Sequence, residues 1–507
     1  MKANEILRFL GLALVLLLCS CGKQGNYENA LPKDAALVLQ ADFASMVSKS
    51  GLGRAQGKKA LGHLGDLLKS GMEGSDDLID KIMENPEESG LELSEKVYFF
   101  AEPQVNHIGL IAKVSDKGKV KDLLEELRRQ AICEDTHKGD GCVWAEMGNV
   151  LIAYNSTAFL ALADPKGDDA SDNLHAAEKL LRQSDGEGFT STDNYSKMQT
   201  ETGDLCAFLS LNLLPSSLPS LLSMGVSGEM KLEDIKYVST LNFVEGKAVL
   251  DIKSITTDKV MLDFLENMQK ASSGIGGDYL DAFPANTLSW MGGNVDGSAL
   301  YEIFCGNPLI RQQMENPFMP IDIESIFSAI KGDVALAFTD LSGQHFIAYA
   351  DVTNSEFLQT FEDLKPVLAM TGGMMKLINA GENAYELRVP RRMAGPFARV
   401  WFGVAGNRLY VTNDVDLIGA RVLGLSLKAN PWGKQVAGKS FYFALNANVI
   451  HETFSEMLTG EGVTAQLLSI LAGLDYLTIE SADGINAKAE LALKNKKTNF
   501  LQYLWQN

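Results

Sequence analysis

Val97-Tyr98-Phe99-Phe100-Ala101-Glu102 and Ile108-Gly109-Leu110-Ile111-Ala112-Lys113-Val114 are two strand-like runs separated by a short polar stretch. They return 238 residues later as Ala335-Leu336-Ala337-Phe338-Thr339-Asp340 and Phe346-Ile347-Ala348-Tyr349-Ala350-Asp351-Val352, with Phe100 over Phe338, Ala112 over Ala350 and Val114 over Val352. Such runs read as half-buried strands, and their short separation makes each pair a hairpin. A hairpin repeated at a fixed offset points to an internal duplication.

The same order extends outward from both copies. Ala30-Leu31-Pro32 recurs as Ala282-Phe283-Pro284, and each is followed by a strand-like stretch and an aspartate at a helix start, Asp42 and Asp296. The hairpin 143–155 turns on Gly148-Asn149 and is matched to 401–413, which turns on Gly406-Asn407; a Gly-Asn pair supplies the positive φ of a tight turn. The last hairpins turn on Glu245-Gly246 and Asp483-Gly484, and each half closes on an amphipathic segment, 258–270 and 497–505. Helical stretches lie between the hairpins; in 119–130, Val120, Leu123, Leu124 and Leu127 share one face. The pattern predicts an α+β fold of two tandem related units, each an antiparallel hairpin-built sheet with helices packed on one face. The expected boundaries are a first repeat over 30–271, a glycine- and serine-rich linker over 272–280, and a second repeat over 281–507.

Upstream of the first repeat, Lys2 and Arg8 precede an apolar run from Phe9 to Leu18 that is too short for a bilayer span, which needs about 20 residues. Residues 1–20 therefore read as a secretory signal. Leu18-Cys19-Ser20-Cys21 fits a bacterial lipobox, so cleavage after Ser20 and acylation of Cys21 with diacylglycerol and a palmitate-type chain are expected. Several acyl chains on one cysteine give stable anchoring. Residues 21–29 then form a lipidated polar tether. Gly22 stands where an aspartate would signal retention at the inner membrane, and no acidic cluster follows Cys21. The expected address is the outer membrane, on the periplasmic face in preference to the cell surface.

The chain has 507 residues, 46% of them hydrophobic, enough to bury sizeable cores. Its 45 basic and 65 acidic residues give a net charge of −20, which argues against nucleic acid or an anionic membrane as the main partner. The lipobox, the polar tether and the opening Asn29-Ala30-Leu31-Pro32-Lys33-Asp34-Ala35 resemble a family of Bacteroidetes lipoproteins of unknown function. The resemblance implies an envelope protein without an assigned activity and transfers no catalytic residue.

Few motifs carry chemistry. Gly433-Lys434-Gln435-Val436-Ala437-Gly438-Lys439-Ser440 matches a phosphate-binding loop letter for letter, but a strand-like FYFALN follows where that loop needs a helix N-terminus. Gly51-Leu52-Gly53-Arg54-Ala55-Gln56-Gly57 is one residue too long for a dinucleotide loop. The six histidines, His63, His107, His137, His175, His345 and His451, include no pair at i, i+4 and read as surface or satisfied core residues. Cys133 and Cys142 bracket a polar loop and are the candidate disulfide. Cys206 reads as a buried thiol, and Met370, Met374 and Met375 as core filling on a helix.

The expectation is a non-enzymatic lipoprotein of the cell envelope, held to the membrane through Cys21, that binds or scaffolds a protein or apolar ligand without a cofactor or metal. Its alternatives are a carrier of an apolar ligand such as a lipid and a hydrolase with an unrecognised site.

Overall fold

The computed structural model describes residues 26–51, 86–92, 94–103, 106–165, 170–214, 226, 228–315, 321–340, 344–420, 422, 424–457 and 463–506. They form two compact units. Unit 1 gathers the described residues of 26–216, 232–256 and 497–506; unit 2 gathers those of 226–231 and 257–496.

Unit 1 contains strands β1 (Leu37–Ala41), β2 (Val97–Ala101), β3 (Ile108–Lys113), β4 (His137–Lys138), β5 (Val143–Met147), β6 (Val150–Tyr154), β7 (Ala158–Ala163), β8 (Leu205–Ser210), β9 (Lys236–Val244) and β10 (Lys247–Ser254). Neighbouring strands pair antiparallel in the order β10-β9-β8-β1-β2-β3-β7-β6-β5-β4.

Unit 2 contains β11 (Ser289–Asp296), β12 (Ile330–Phe338), β13 (Phe346–Val352), β14 (Lys376–Gly381), β15 (Ala384–Arg388), β16 (Arg399–Ala405), β17 (Arg408–Thr412), β18 (Phe441–Asn446), β19 (Leu474–Ser481) and β20 (Ala487–Leu493). Their order is β20-β19-β18-β11-β12-β13-β17-β16-β15-β14, the order of unit 1 strand for strand.

This topology corrects one pairing read from the sequence. Gly148-Asn149 turns β5 into β6, whereas Gly406-Asn407 turns β16 into β17. β17 pairs with β13, Ile347 opposite Thr412. The strand that pairs with β3 in unit 1 is β7, Ile108 opposite Ala163. The counterpart of β17 is therefore β7, and the two Gly-Asn turns are one hairpin out of step. Both glycines have positive φ, 63° and 62°. Gly-Asn reports that local requirement and nothing about which strands it joins.

The helices of unit 1 are α1 (Phe43–Ser50), α2 (Lys117–Arg129), α3 (Ala170–Leu181), α4 (Asp193–Gln199) and a last one discussed below. Asp116 caps α2 by accepting from the amides of Gly118 and Lys119, and Val120, Leu123, Leu124 and Leu127 are all buried, as their spacing predicts. Burying each contributes about 1.5–3 kcal/mol.

The expectation that helices cover one face does not hold. α2 packs with Leu110, Ile152, Phe159 and Ala161 in one core, while Leu180 and Leu181 of α3 pack with Tyr98, Ile111, Leu160 and Leu162 in another. Alternate residues of the same strands enter different cores, so the sheet is covered on both faces. β6 and β7 are buried at every position because their apolar runs, VLIAY and AFLALA, are unbroken.

In unit 2 the helices are α5 (Lys259–Lys270), α6 (Gly297–Cys305), α7 (Pro308–Met314), α8 (Ile323–Ala329), α9 (Gln359–Ala369), α10 (Arg391–Ala394), α11 (Ala447–Met457) and α12 (Val463–Gly473). Asp42 and Asp296, the matched aspartates of the sequence, cap α1 and α6 by accepting from the amides of Ser45 and Ala299. One core holds Trp290, Ala335, Ile347, Tyr442 and Tyr476 under residues 275–283 and 427–436, and a second packs Phe357 and Phe361 against Tyr385 and Phe402.

The compact units do not follow the expected boundaries. The last helix, α13 (Phe500–Gln506), belongs to unit 1: Phe500 and Leu501 are buried, Phe500 stacks on Phe243, Asn499 Nδ2 donates to Phe243 O at 3.0 Å, and Gln502 Nε2 donates to Lys49 O at 3.1 Å. α5, which follows β10, belongs to unit 2. Residues 272–280 are no free linker either. Ile275 is buried, and the amides of Gly276 and Gly277 donate to the Asp333 carboxylate at 2.9–3.0 Å. The expected tether ends early as well: Tyr27 and Asn29 are buried, and Tyr27 Oη donates to Lys96 O at 2.7 Å.

Candidate functional site

One end of each sheet carries a histidine facing carboxylates. In unit 1, between β2 and β3, His107 Nδ1 lies 2.6 Å from Glu102 Oε2. The hydrogen bond to Glu102 raises the imidazole pKa above its usual 6.5 against partial burial, with Asp164 and Asp172 adding to the rise. In unit 2, between β12 and β13, His345 Nδ1 lies 3.1 Å from Asp340 Oδ2 and 3.6 Å from Asp414 Oδ2. Glu102 and Asp340 stand 238 residues apart, as do His107 and His345. Asp164 follows β7 and Asp414 follows β17, in agreement with the corrected strand matching. Metal-ligand spacing does not reveal these pairs in the sequence; the signal that marks them is the shared 238-residue offset. Each is a polar tie across a hairpin, and the one at His107 favours the protonated imidazole. Among the described residues, no group of three or more His, Cys, Asp or Glu side chains is placed to hold a metal.

The same end of unit 2 carries a feature that unit 1 lacks. β5 and β6 are joined by two residues, 148–149, whereas β15 and β16 are joined by ten, 389–398. This longer connection reads Val-Pro-Arg-Arg-Met-Ala-Gly-Pro-Phe-Ala, and four of the chain's twelve arginines lie within 388–399. Arg388 and Arg399 both bind the buried Glu386, at 2.7 and 2.6 Å, and those hydrogen bonds, Arg388 foremost, hold its carboxyl below the usual range. Arg391 and Arg392 are exposed, and their guanidiniums make no ion pair or hydrogen bond with another described residue. The connection is held by its own ends and its neighbours: Val389 N donates to Ala398 O at 2.8 Å, Asn413 Nδ2 donates to Pro396 O at 3.4 Å, and Phe397 packs on Phe346. Lys376 at the start of β14 lies opposite Arg388, so the segment between α9 and β14 emerges at this end too. There Met370 is 83% and Met374 55% exposed, beside Met393 at 65% and Phe397 at 45% in the connection. The expected core role of Met370 and Met374 is thereby overturned: they follow the last turn of α9, beyond the face that Leu364 and Leu368 bury.

Unit 2 also holds a groove of about 560 Å³ between α5 and α6, lined by Val260, Phe264 and Ile303 together with Asp263, Lys270 and Glu302.

The remaining sequence candidates resolve as follows. Cys21 and most of the glycine-rich stretch 51–57 lie outside the described residues. Cys133 and Cys142 form no disulfide. Cys133 lies in the core on the α2 face and Cys142 in the core on the α3 face, so the sheet stands between their environments. Burial pushes the Cys133 thiol up to about 11 and also raises that of Cys142. Cys206 is fully buried, as expected. The phosphate-loop match runs from a single 3-10 turn at Gly433–Gln435 into β18, and its Lys439 Nζ is bound to Glu480 Oε1 at 2.8 Å.

Residues 27–501 match the family model described as Domain of unknown function (DUF4836). The chain belongs to the DUF4836 family. The match spans both units of this DUF4836 protein. No curated protein matches the chain. Among solved structures it is similar to crystal form III of TP0453, at 10% identity and a TM-score of 0.27 over 50% of this chain and 91% of that one. It is also similar to crystal form IV of TP0453, at 11% identity and a TM-score of 0.28 over 45% and 81%. At these TM-scores neither likeness carries an argument about this DUF4836 protein.

Proposed function

We propose that this protein is a non-enzymatic binding lipoprotein of the bacterial envelope, anchored to the outer membrane on its periplasmic side through Cys21. Its two units are read as related copies, on the support of the shared strand order, the matched caps Asp42 and Asp296 and the matched His–carboxylate ties. The anchor rests on Leu18-Cys19-Ser20-Cys21 and on the distance from Cys21 to Tyr27, where buried structure begins. The binding role rests on one observation: four large apolar side chains and two arginines whose guanidiniums have no partner among the described residues share one end of unit 2. Exposed apolar clusters of this kind mark interaction surfaces. The apolar-ligand carrier gains less support, because Asp263, Lys270 and Glu302 line the groove between α5 and α6, and an apolar ligand there would desolvate them.

Fractionation tests the anchor. Cys21→Ser should move the protein from the membrane pellet to the soluble fraction, and a variant that stays in the pellet would rule out acylation at Cys21. Native mass spectrometry of the chain from residue 22 tests the carrier: a co-purifying lipid would restore that alternative.

A further inference from the structure

The connection 389–398 is dispensable to the sheet, since the same strands in unit 1 are joined by a two-residue turn. A long connection on a scaffold that does not need it is where function is placed. Arg391 and Arg392 stand unpaired among the described residues of a chain whose net charge is −20, in a segment, 387–399, without one acidic residue. Of the acidic groups at this end, Glu386 is bound by Arg388 and Arg399, and Asp340 and Asp414 face His345, while Asp416 is exposed. Beside the arginines, Met370, Met374, Met393 and Phe397 project from two connections at one sheet end.

We propose that Arg391, Arg392, Met393 and Phe397, with Met370 and Met374, form a docking surface for an anionic phospholipid bilayer. The charge is complementary: two exposed guanidiniums attract lipid phosphates locally, on a chain whose net charge is negative. The apolar part fits the same occupant. These residues sit on separate connections in place of a flat patch, which suits side chains that dip singly into the boundary between headgroups and acyl chains. Guanidiniums bind phosphate bidentately, and methionine adapts to an irregular apolar medium. The proposal names the partner of the binding protein inferred above, and rests on that reading, but it does not require the acyl anchor.

The test uses the unacylated chain from residue 22, which retains every described residue, so that a failed anchor and a failed surface give different results. Co-flotation with phosphatidylglycerol vesicles should exceed that with phosphatidylcholine vesicles and weaken with salt. R391Q and R392Q should each lower the affinity about fivefold, the factor set by roughly 1 kcal/mol of attraction per basic residue near an anionic surface. Met393→Ser with Phe397→Ser should remove the binding that survives high salt. These positions are exposed, so unchanged melting curves would show that the variants fold. No preference for anionic vesicles, or binding indifferent to both arginine changes, would overturn the proposal. Capture of soluble polyglutamate without vesicle binding would also overturn it and assign the surface to an acidic polypeptide.

Discussion

Units 1 and 2 share one order of ten antiparallel strands, yet of the sixteen exposed large hydrophobic residues in the described chain, fifteen belong to unit 2 and only Leu504 to unit 1. The difference lies in what the connections do. In unit 1, α2 and α3 close opposite faces of the sheet, and β5 turns directly into β6. In unit 2 the second core is smaller, and the β15–β16 connection carries Arg391, Arg392, Met393 and Phe397 outward. The strand order of a sheet is preserved by its ladder, whereas the length and chemistry of a connection can change without disturbing any pairing.

The opening segments of the two units differ as well. Tyr27 and Tyr279 stand 252 residues apart, the offset of Ala30 and Ala282. Next to Tyr27, Glu28 accepts from Tyr98 Oη at 2.6 Å and from Tyr195 Oη, and burial together with Glu28 raises the pKa of both tyrosines. Next to Tyr279, the corresponding residue is the buried Leu280, and Tyr279 Oη donates to Asp351 Oδ1 at 2.7 Å instead. Unit 1 holds its first segment with a shared carboxylate and unit 2 with a side chain of its own sheet.

The comparison can be broken most forcefully at α13. Phe500→Ala should destabilise by about 3–5 kcal/mol, as for other buried aromatics. Hydrogen exchange should show the loss in α1 and β9 of unit 1; loss confined to unit 2 would refute the assignment of the last helix. Leu124→Ala, at a fully buried position, should cost about 2–5 kcal/mol in urea unfolding. Met374→Ala in unit 2 should stay within about 0.5 kcal/mol. Similar costs for these two would contradict the contrast in burial.

Glu28→Ala should cost about 1–3 kcal/mol by removing the carboxylate that accepts from the buried Tyr98 and the half-buried Tyr195, whereas Leu280→Glu should not create an equivalent gain in unit 2. Gly148→Ala and Gly406→Ala should each cost about 1 kcal/mol, because both need positive φ and an added Cβ would meet no atom within 4 Å at either site. A large inequality between them would mean that the two turns are not alike even locally.

The smallest effect concerns pH. The folded-state pKa of His107 is raised, so its tie to Glu102 stabilises fully below the unfolded value of about 6.5 and is lost as pH rises through the folded value. The stability advantage of the native chain over Glu102→Gln should therefore shrink between pH 5.5 and pH 8; an advantage that grows over that range would reverse the assignment.

Much of the architecture was legible in the residues. Alternating runs and short turns identified the β2–β3 and β12–β13 hairpins, helix periodicity picked out the buried face of α2, and Asp42 and Asp296 marked true caps. Matching the Gly-Asn turns failed because a tight turn states its own φ requirement and not its partners. Cys133 and Cys142 looked like a disulfide because nine positions apart in sequence says nothing about the sheet that separates them. The docking surface was not legible at all: Met370 and Met374 carry the same apolar signal as core methionines, and only exposure distinguishes them.

The sequence by itself determined the α+β character, the hairpins, the caps and the repeated order of elements, since these follow from local periodicity and backbone preference. The tertiary structure alone decided that both sheet faces are covered, that α5 falls with unit 2 while α13 completes a unit distant from it in sequence, and that one sheet end is apolar and basic. Those properties depend on which surfaces meet after the chain has folded back on itself, and a residue's neighbours across a sheet are not encoded in its neighbours along the chain.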